Sequence, residues 1–475
     1  MRKQGERGKM KKSIRFFIVL YLAKLARIAL KVIGRDATYF PGKLAVTLCP
    51  DFLGRIDKPQ TIIGVTGTNG KTTVCNMIED TLRENGYDFM DNHLGSNINS
   101  GIASTLVENA TLTGKMKKEM AVFEIDERSA VKVYPYITPT YLVCTNLFRD
   151  SLKRNAHTEF IFDILDKHIP KETKLVLNGD DLIVSSLAKE NERVYFGIER
   201  LATDTDTCHN IARDMIVCPQ CDSKLVYDFV RYNHIGRAHC SKCHFASPKI
   251  DYDVTNLDFE NMKMTMQTKK QEEQYDLMNN NIINIYNMLA TISLLRELGL
   301  EPTVINQSLR KQEIVDTRYS KEIVEGIEMV THLAKGMNPI ACSRVFDYVR
   351  KEKGNKAVIL LLDDLHEAAN SSENIAWQYD TDYEFLNDES IKQILMAGAR
   401  HLDGYVRLQM AGVPKEKIVH VRNEMDLVDD LNLEGIDKIF ILHDLYAIAL
   451  KNKIKERIEH RIKQEKEMID DQKEA

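Results

Sequence analysis

The chain has 475 residues, of which 43% are hydrophobic, so it can form several cores and is expected to contain at least two domains. Its formal net charge of −5 gives no general basic surface, which argues against a nucleic-acid-binding protein. Nine cysteines, four of them in two CxxC pairs, indicate a reducing, cytoplasmic location and a bound metal rather than a disulfide framework.

The first 43 residues form a basic segment that is expected to contain an amphipathic helix. Residues 1–35 hold eleven lysines or arginines and one acid, Glu6. The apolar stretch from Phe16 to Gly34 is interrupted by charges and is followed by no cleavage site, so it is neither a spanning helix nor a signal peptide. Two interpretations remain. The helix packs on its own domain, or it makes a peripheral contact at the inner face of an anionic membrane through Phe16, Leu20, Leu25 and Ile28.

A strand, a glycine-rich turn and a helix follow one another around the stretch TIIGVTGTNGKTT, from Thr61 to Thr73. This order is typical of a phosphate-binding loop, in which backbone N–H groups converge on phosphate oxygens at a helix N-terminus. A lysine in the loop adds a positive charge, and a threonine hydroxyl beside it can hold Mg²⁺. The sequence therefore predicts an ATP site formed by Gly67, Thr68, Asn69, Gly70, Lys71, Thr72 and Thr73.

Strands and helices alternate after this loop, which predicts a mostly parallel sheet with helices on both faces. The predicted strands begin at Ala121, Thr140, Lys174 and Arg193. Polar residues follow three of them, at the edge where ligands bind in such sheets, although each acid taken singly is typical of a solvated loop or a helix cap. These residues are Glu124 and Asp126, then Asn146, Arg149 and Asp150, then Asn178, Asp180 and Asp181. A carboxylate in this position can hold Mg²⁺ against the ATP phosphates.

Two CxxC pairs in the middle of the chain predict a structural zinc site. Eighteen residues separate the pairs, which is the spacing of a zinc ribbon whose two knuckles flank a hairpin. A redox dithiol is disfavoured because there are two pairs and neither opens a strand-to-helix turn. We therefore expect a ribbon insert at about residues 214–250, with the zinc ligands Cys218, Cys221, Cys240 and Cys243.

A second α/β domain is expected after the ATP-binding domain, which the sequence predicts over residues 44–315. The segment from Asn279 to Gly299 is an apolar-periodic helix, in which Asn284 and Asn287 are interpreted as buried helix-start caps or as ligand contacts. Strand-like and helical segments alternate again over residues 316–452, which is typical of a Rossmann-like sheet. Residues 453–475 are charged throughout and are interpreted as a solvated helix or a frayed tail.

Several motifs resemble those of the Mur ligase family, whose members join a carboxylate to an amine through an acyl phosphate. The loop GTNGKTT is similar to the family's ATP-binding loop. The paired CxxC knuckles resemble the MurT-like branch, the ligase subunits of lipid II isoglutaminyl synthase, as do the segments GSNINSGIAS, NLFRDSLKRNAHTE, LNGDD and WQYDTDYE. The resemblance implies an α/β fold with a Mur-ligase-like central P-loop sheet, an inserted Cys₄ zinc ribbon and a Rossmann-like C-terminal domain.

The same resemblance implies three cofactors, ATP, Mg²⁺ and Zn²⁺, and assigns residues to two of them. Lys71 and the loop amides would hold the triphosphate, and Thr72 and Glu124 would serve Mg²⁺. The further nucleotide contacts would be Asn146, Asn284, Asn287 and Arg318.

The implied reaction is ATP-dependent amidation of the D-glutamate α-carboxyl of lipid II, with ammonia from a GatD-like glutaminase subunit in a heterodimer. Asp380 would act in trans by orienting a histidine of that subunit. The chain itself offers no glutaminase nucleophile, because Cys75, Cys144 and Cys342 lie in apolar segments. Three C-terminal segments, LAKGMNP, DDLHEAANSSENIAW and ILHDLYAIAL, differ from the family pattern. Two alternatives therefore stay open: another Mur-type amide ligase of the folylpolyglutamate synthase-like kind, and a non-catalytic ATP-binding scaffold.

Overall fold

A computed structural model describes residues 10–93, 95–150, 157–312, 319–362, 375–444 and 447–474, with side chains up to residue 468. The chain divides into two compact units. Unit 1 comprises Met1–Phe148, Thr158–Cys208 and Asp214–Ile314, and unit 2 comprises Arg149–His157, His209–Arg213 and Val315–Ala475. The domain boundary expected near residue 315 lies outside the described residues.

Unit 1 is organised around a sheet of nine strands. The strands of this unit are β1 (Thr61–Thr66), β2 (Phe89–Asp91), β3 (Met120–Glu124), β4 (Tyr141–Cys144), β5 (Lys174–Asn178), β6 (Arg193–Ile198), β7 (Leu225–Tyr232), β8 (Ile235–Cys240), β9 (Tyr252–Asp258), β10 (Lys263–Thr268) and β11 (Glu272–Asp276). The nine follow the order β11-β10-β9-β6-β5-β4-β1-β3-β2, and β7 and β8 form a separate two-stranded sheet. The part from β2 to β9 is parallel, and the four strands predicted after the phosphate loop are confirmed.

Helices cover both faces of this sheet, because its central strands are apolar on both sides. They are α1 (Ile14–Val32), α2 (Phe40–Leu48), α3 (Phe52–Arg55), α4 (Lys71–Glu84), α5 (Asn99–Asn109), α6 (Ala130–Val133), α7 (Thr158–His168), α8 (Ile282–Glu297) and α9 (Pro302–Lys311). Helix α8 has Asn281 as its N-cap, and the side chain of Asn281 accepts a hydrogen bond from Ile283 N. Asn284 and Asn287 lie inside the helix, so their interpretation as caps is wrong.

Helix α1 packs on unit 1 through only part of the apolar set that the sequence suggested. Phe16 and Leu20 are fully buried in the core, whereas Leu25 and Ile28 are 61% and 57% exposed. The packed-helix interpretation therefore holds for one face of α1. Among the described helices, none has the length and apolar character needed to cross a membrane.

Unit 2 is a second α/β layer with a six-stranded sheet. Its strands are β12 (Tyr319–Val324), β13 (Ile327–Leu333), β14 (Lys356–Leu361), β15 (Ile391–Ala397), β16 (Ile418–Val421) and β17 (Lys438–His443), and its helices are α10 (Pro339–Lys351), α11 (Trp377–Asp380), α12 (His401–Met410) and α13 (Ile448–Glu474). The order is β12-β13-β17-β14-β15-β16, parallel except for the hairpin of β12 and β13. This matches the expected Rossmann-like sheet.

The end of the chain is a helix, as one of the two interpretations of the tail expected, but the helix is not solvated on all sides. Residues 448–474 form one continuous helix, α13, so the helical interpretation of the tail is confirmed for the described residues, and the helix crosses the expected boundary at residue 452. Three isoleucines spaced four residues apart are buried against one face of the unit 2 sheet: Ile454, Ile458 and Ile462. Charged residues surround these isoleucines in the sequence, so composition alone does not reveal this narrow apolar stripe.

Candidate functional site

The predicted phosphate loop connects β1 to the first residue of α4, so its backbone lies at a helix N-terminus. Gly67 and Gly70 have φ values of +126° and +84°. A Cβ at Gly67 would lie 2.3 Å from Thr145 Oγ1, and one at Gly70 would lie 2.2 Å from Asn287 Oδ1. Both glycines are therefore required by backbone conformation and by the closeness of neighbouring side chains.

Asn146 lies after β4 and holds the phosphate loop in place. Its Oδ1 accepts a hydrogen bond from Asn69 N at 3.0 Å, and its Nδ2 donates to Asn69 O at 3.0 Å. The backbone of Thr68 donates to Asn146 O at 2.8 Å, and the Thr68 hydroxyl accepts from Phe148 N at 2.9 Å. Because the amide oxygen and the amide nitrogen of Asn146 both bond to the loop, Asn146 fixes the conformation of the loop backbone.

Lys71 forms a buried ion pair that the sequence did not predict. Its Nζ lies 3.1 Å from Glu127 Oε1 and donates to Gly67 O at 2.5 Å, while the Glu127 side chain is only 2% exposed. Burial disfavours the charge on Lys71, but the carboxylates of Glu127, Glu124 and Asp126 outweigh it and raise the pKa of the lysine. The lysine therefore remains a cation at neutral pH. Burial also raises the pKa of Glu127, against the opposing effect of Lys71.

Thr72 and Glu124 meet beside the loop and offer oxygen ligands. Thr72 Oγ1 donates to Glu124 Oε2 at 2.8 Å, and Asn97 Nδ2 donates to Glu124 Oε1 at 2.9 Å. A hydroxyl and a carboxylate at this separation suit a hard cation such as Mg²⁺, with the asparagine fixing the carboxylate. Asn97 lies in the segment GSNINSGIAS, which the sequence pointed to only as a motif.

Helix α8 brings Asn287 to the phosphate loop, where the buried Asn287 side chain faces Gly70. Asn284 is half-buried one turn earlier in the same helix. Tyr286 lies between them and its hydroxyl donates to Asp180 Oδ2 at 2.7 Å. Three of the predicted residues thus lie against the phosphate loop in unit 1, as expected: Glu124, Asn146 and Asn287. Arg318 lies outside the described residues.

The hairpin of β7 and β8 contributes an unpredicted group of buried charges beside α8. The guanidinium of Arg231, 3% exposed, lies 2.7 Å from Asp204 and 3.4 Å from Asp180, and it also hydrogen-bonds the Tyr286 hydroxyl. Arg237 Nε lies 3.0 Å from the other oxygen of Asp180. Arg231 and Arg237 therefore both neutralise the fully buried carboxylate of Asp180. From the sequence, Asp180 was identified only as a polar residue at the end of a strand.

The four cysteines of the CxxC pairs lie together, with all four sulfur atoms within 4.8 Å of one another. Cys218 and Cys243 sulfurs are 3.5 Å apart, and so are those of Cys221 and Cys240. Tetrahedral zinc with bonds of about 2.3 Å would place its sulfur ligands roughly 3.8 Å apart, so the set fits zinc. Backbone N–H groups of Lys242 and other knuckle residues point at the sulfurs, which favours thiolates.

In unit 2, the two aspartates of the WQYDTDYE segment have different environments. Asp380 ends α11, is 36% exposed, and its Oδ1 accepts from Arg149 Nη1 at 2.9 Å. Asp382 is buried and accepts from Ile211 N at 2.6 Å and from Asn210 Nδ2 at 2.8 Å. Burial raises the pKa of Asp382. Asp382 is therefore a structural residue, and Asp380 is the one that another molecule can reach. Most of DDLHEAANSSENIAW lies outside the described residues.

Comparisons with known proteins agree with this geometry. The sequence matches the Mur ligase middle domain over residues 65–295 and the MurT ligase C-terminal domain over residues 333–448. It is 31% identical over 409 residues to subunit MurT of the glutamine-hydrolysing lipid II isoglutaminyl synthase of Staphylococcus aureus (strain COL), covering 86% of this chain and 90% of that one. The corresponding Streptococcus pneumoniae subunit is 30% identical, with coverages of 89% and 93%.

A solved structure supports the fold. The pseudomurein peptide ligase type C from Methanothermus fervidus superposes with a TM-score of 0.63 at 22% identity, covering 86% of this chain and 81% of that one. At this identity the likeness concerns the fold alone, while the two MurT subunits match along most of their length. The chain belongs to the MurT-like branch of the Mur ligase family.

Proposed function

We propose that the chain is the ligase subunit of a lipid II isoglutaminyl synthase, which converts the D-glutamate α-carboxyl of lipid II to the amide of D-isoglutamine. The observation that carries the proposal is the pairing of Lys71 with Glu127 and of Thr72 with Glu124 on a phosphate loop, in a chain of the MurT-like branch. A carboxylate oxygen is a poor leaving group, so ATP first phosphorylates it, and ammonia then displaces phosphate from the acyl phosphate.

The described residues support this role for ATP. The loop amides and the N-terminus of α4 would bind the phosphates, and Lys71 would neutralise the charge that grows on the transferring phosphoryl group. Thr72 and Glu124 would hold Mg²⁺, which would offset the negative charge of the phosphates. Asn97 fixes Glu124, Asn146 fixes the loop backbone, and Asn284, Asn287 and Arg318 are proposed as contacts to the rest of the nucleotide.

The ammonia is proposed to come from a separate glutaminase subunit. Burial raises the pKa of the thiols of Cys75, Cys144 and Cys342 well above the ordinary value, so these thiols stay protonated and unreactive at neutral pH. We propose that the reaction takes place in the cytoplasm, where ATP is available and where reducing conditions keep Cys218, Cys221, Cys240 and Cys243 ready for zinc.

Asp380→Asn is expected to lower glutamine hydrolysis by the assembled complex about 10²- to 10⁴-fold, because an amide orients a partner imidazole less well than a carboxylate does. The measurement is glutaminase turnover of the complex, with nucleotide affinity as a second reading that should not change. Asp382→Asn is the control from the same segment, since Asp382 is buried and bonded within unit 2. It should lower stability and leave turnover per folded complex near the wild-type value. Equal turnover of Asp380→Asn and wild type would contradict the trans role.

The function itself is tested by incubating the chain and its co-purified glutaminase with lipid II, ATP and glutamine. Glutamine-dependent ATP hydrolysis, with conversion of one carboxylic acid of the product to an amide in the mass spectrum, is the expected result. Incorporation of a free amino acid would instead indicate another Mur-type amide ligase. ATP binding without turnover on any acceptor would indicate a scaffold.

A further inference from the structure

The solvent-facing side of helix α1 is a continuous apolar row, which we call the α1 stripe. Its members recur every three or four residues and are between 44% and 80% exposed: Ile14, Ile18, Tyr21, Leu25, Ile28 and Val32. The helix has 19 residues and is therefore about 28 Å long. Such a row on one side of a helix presents a single apolar surface to whatever covers it.

The opposite face of α1 already has its own packing partners. Phe16, Val19, Leu20 and Ala23 are at most 3% exposed and belong to the core of unit 1. A helix packed on a domain in this way normally presents polar residues to water on its outer face. In α1 both faces are apolar, so the α1 stripe is not explained by folding of unit 1, and a contiguous exposed apolar surface indicates an interaction site.

The surroundings of the α1 stripe are basic. Exposed cations lie on α1 and on the segment that follows it through α2: Arg15, Lys31, Arg35 and Lys43. One of them, Lys31, is 3.5 Å from Glu108. Asp36 is the only acid between residues 10 and 50, and residues 1–9 add four more lysines or arginines and one acid. Helix α2 contributes two further exposed apolar side chains, Phe40 at 51% and Leu48 at 39%. Apolar and cationic groups thus share one surface in a chain whose net charge is −5.

We propose that the α1 stripe docks unit 1 on an anionic lipid bilayer, with α1 lying in the plane of the interface. Apolar side chains would enter the boundary of the acyl chains while the bordering cations meet lipid phosphates. A second copy of the chain fits the surface less well, because pairing two stripes would bring basic borders of like charge together. The inference stands on this surface alone and does not require the amidation reaction, although a lipid-linked substrate would be reached from such a position.

Sedimentation of the full chain with vesicles, without substrate, tests the proposal. The chain is expected to sediment with vesicles that contain phosphatidylglycerol, to remain in solution with pure phosphatidylcholine vesicles, and to lose binding as salt is raised. Leu25→Glu should lower binding about tenfold or more, because it places a charge in the middle of the apolar row. Phe160→Glu makes a comparable change at a side chain on α7 that is 55% exposed, against 61% for Leu25, and should bind like wild type.

A second variant keeps the apolar row and removes only charge. Arg35→Glu combined with Lys43→Glu should weaken binding to phosphatidylglycerol vesicles and flatten its salt dependence, with an unchanged melting temperature because both side chains are exposed. Failure of the wild-type chain to bind these vesicles would overturn the inference, as would equal binding by Leu25→Glu and Phe160→Glu. Dimerisation that Leu25→Glu abolishes, without vesicle binding, would assign the α1 stripe to a second copy. Amidation of lipid II in detergent is measured separately, so membrane docking by the α1 stripe and the amidation reaction can be contradicted independently.

Discussion

Lys71→Met is expected to lower ATP-dependent amidation about 10²- to 10³-fold, because the variant removes the cation that we propose neutralises the transferring phosphoryl group. It should also destabilise unit 1, since Glu127 is 2% exposed and Lys71 is its ion-pair partner at 3.1 Å. Removing one partner of a buried pair typically costs about 3–5 kcal/mol of unfolding free energy. Amidation rate and the free energy of unfolding in denaturant are the two measurements.

The stability loss in Lys71→Met should depend on pH with a definite sign. Burial raises the pKa of Glu127 in the folded chain, and loss of the opposing lysine raises it further. A carboxyl with a raised folded-state pKa favours folding at low pH and disfavours it once the unfolded chain releases the proton, above about pH 4.5. The penalty of Lys71→Met should therefore be small near pH 4 and grow toward pH 8.

The double variant Lys71→Met with Glu127→Gln separates the two roles of Lys71. Without a carboxylate at position 127, most of the stability loss and its pH dependence should disappear, while amidation should stay as low as in the single variant. Recovery of amidation in the double variant would contradict the phosphate role of Lys71. An unchanged stability loss would contradict the importance of the Lys71–Glu127 pair.

Local patterns in the sequence were sufficient to predict the strand–loop–helix of the phosphate loop, four strands of the unit 1 sheet, the clustering of the four CxxC cysteines and the parallel strands of unit 2. Each of these depends on residues that are close in sequence, such as an apolar run before a glycine turn or two cysteines three positions apart. The polar strand ends could also be placed at one edge, because parallel strands finish on the same side of a sheet. Glu124 and Asn146 lie at this edge and contact the phosphate loop, as this reasoning predicted.

The remaining site residues form contacts that no local pattern specifies. Glu127 lies three residues beyond Glu124 and resembles any helix-start acid until the fold brings it to Lys71. The pairing of Asp180 with Arg231 joins segments 51 positions apart in the sequence. Strands β10 and β11 escaped prediction because they are rich in polar residues, with only alternate side chains such as Met264, Met266 and Tyr275 buried. In α13 a similar excess of charged residues led to a prediction of full solvation, whereas three isoleucines spaced four residues apart are buried.

We propose that the four clustered cysteines hold zinc, and removing this metal is expected to unfold the β7–β8 hairpin and to weaken nucleotide binding. The four cysteines join the start of β7 to the end of β8, at the end of the hairpin opposite its turn, and structural zinc in small ribbons contributes on the order of 10 kcal/mol of folding free energy. In Cys218→Ser/Cys221→Ser, bound zinc should be lost and the hairpin should become sensitive to protease. Zinc content by atomic absorption and the nucleotide Kd by calorimetry are the measurements.

The expected effect on the nucleotide follows from two sets of contacts that the hairpin makes. Arg231 of β7 bonds to the hydroxyl of Tyr286, next to Asn287, which faces the phosphate loop. The ring of His234, in the hairpin turn, lies 4.7 Å from that of Phe148, whose backbone N–H donates to the Thr68 hydroxyl in the phosphate loop. Coupling between sites is typically 1–3 kcal/mol, so the Kd should rise about 5- to 150-fold.

Two further variants isolate the hairpin contacts from the metal. Cys208→Ser alters a half-buried cysteine outside the zinc cluster and should keep both zinc and the wild-type Kd. Arg231→Met should keep zinc, because Arg231 does not belong to the four-cysteine cluster. It should nevertheless weaken nucleotide binding, because the buried carboxylates of Asp180 and Asp204 lose their ion pairs with Arg231. If zinc-free protein binds nucleotide with the wild-type Kd, the ribbon is independent of the ATP site. If Arg231→Met retains the wild-type Kd while the zinc-free protein does not, the metal acts through the turn at His234 instead.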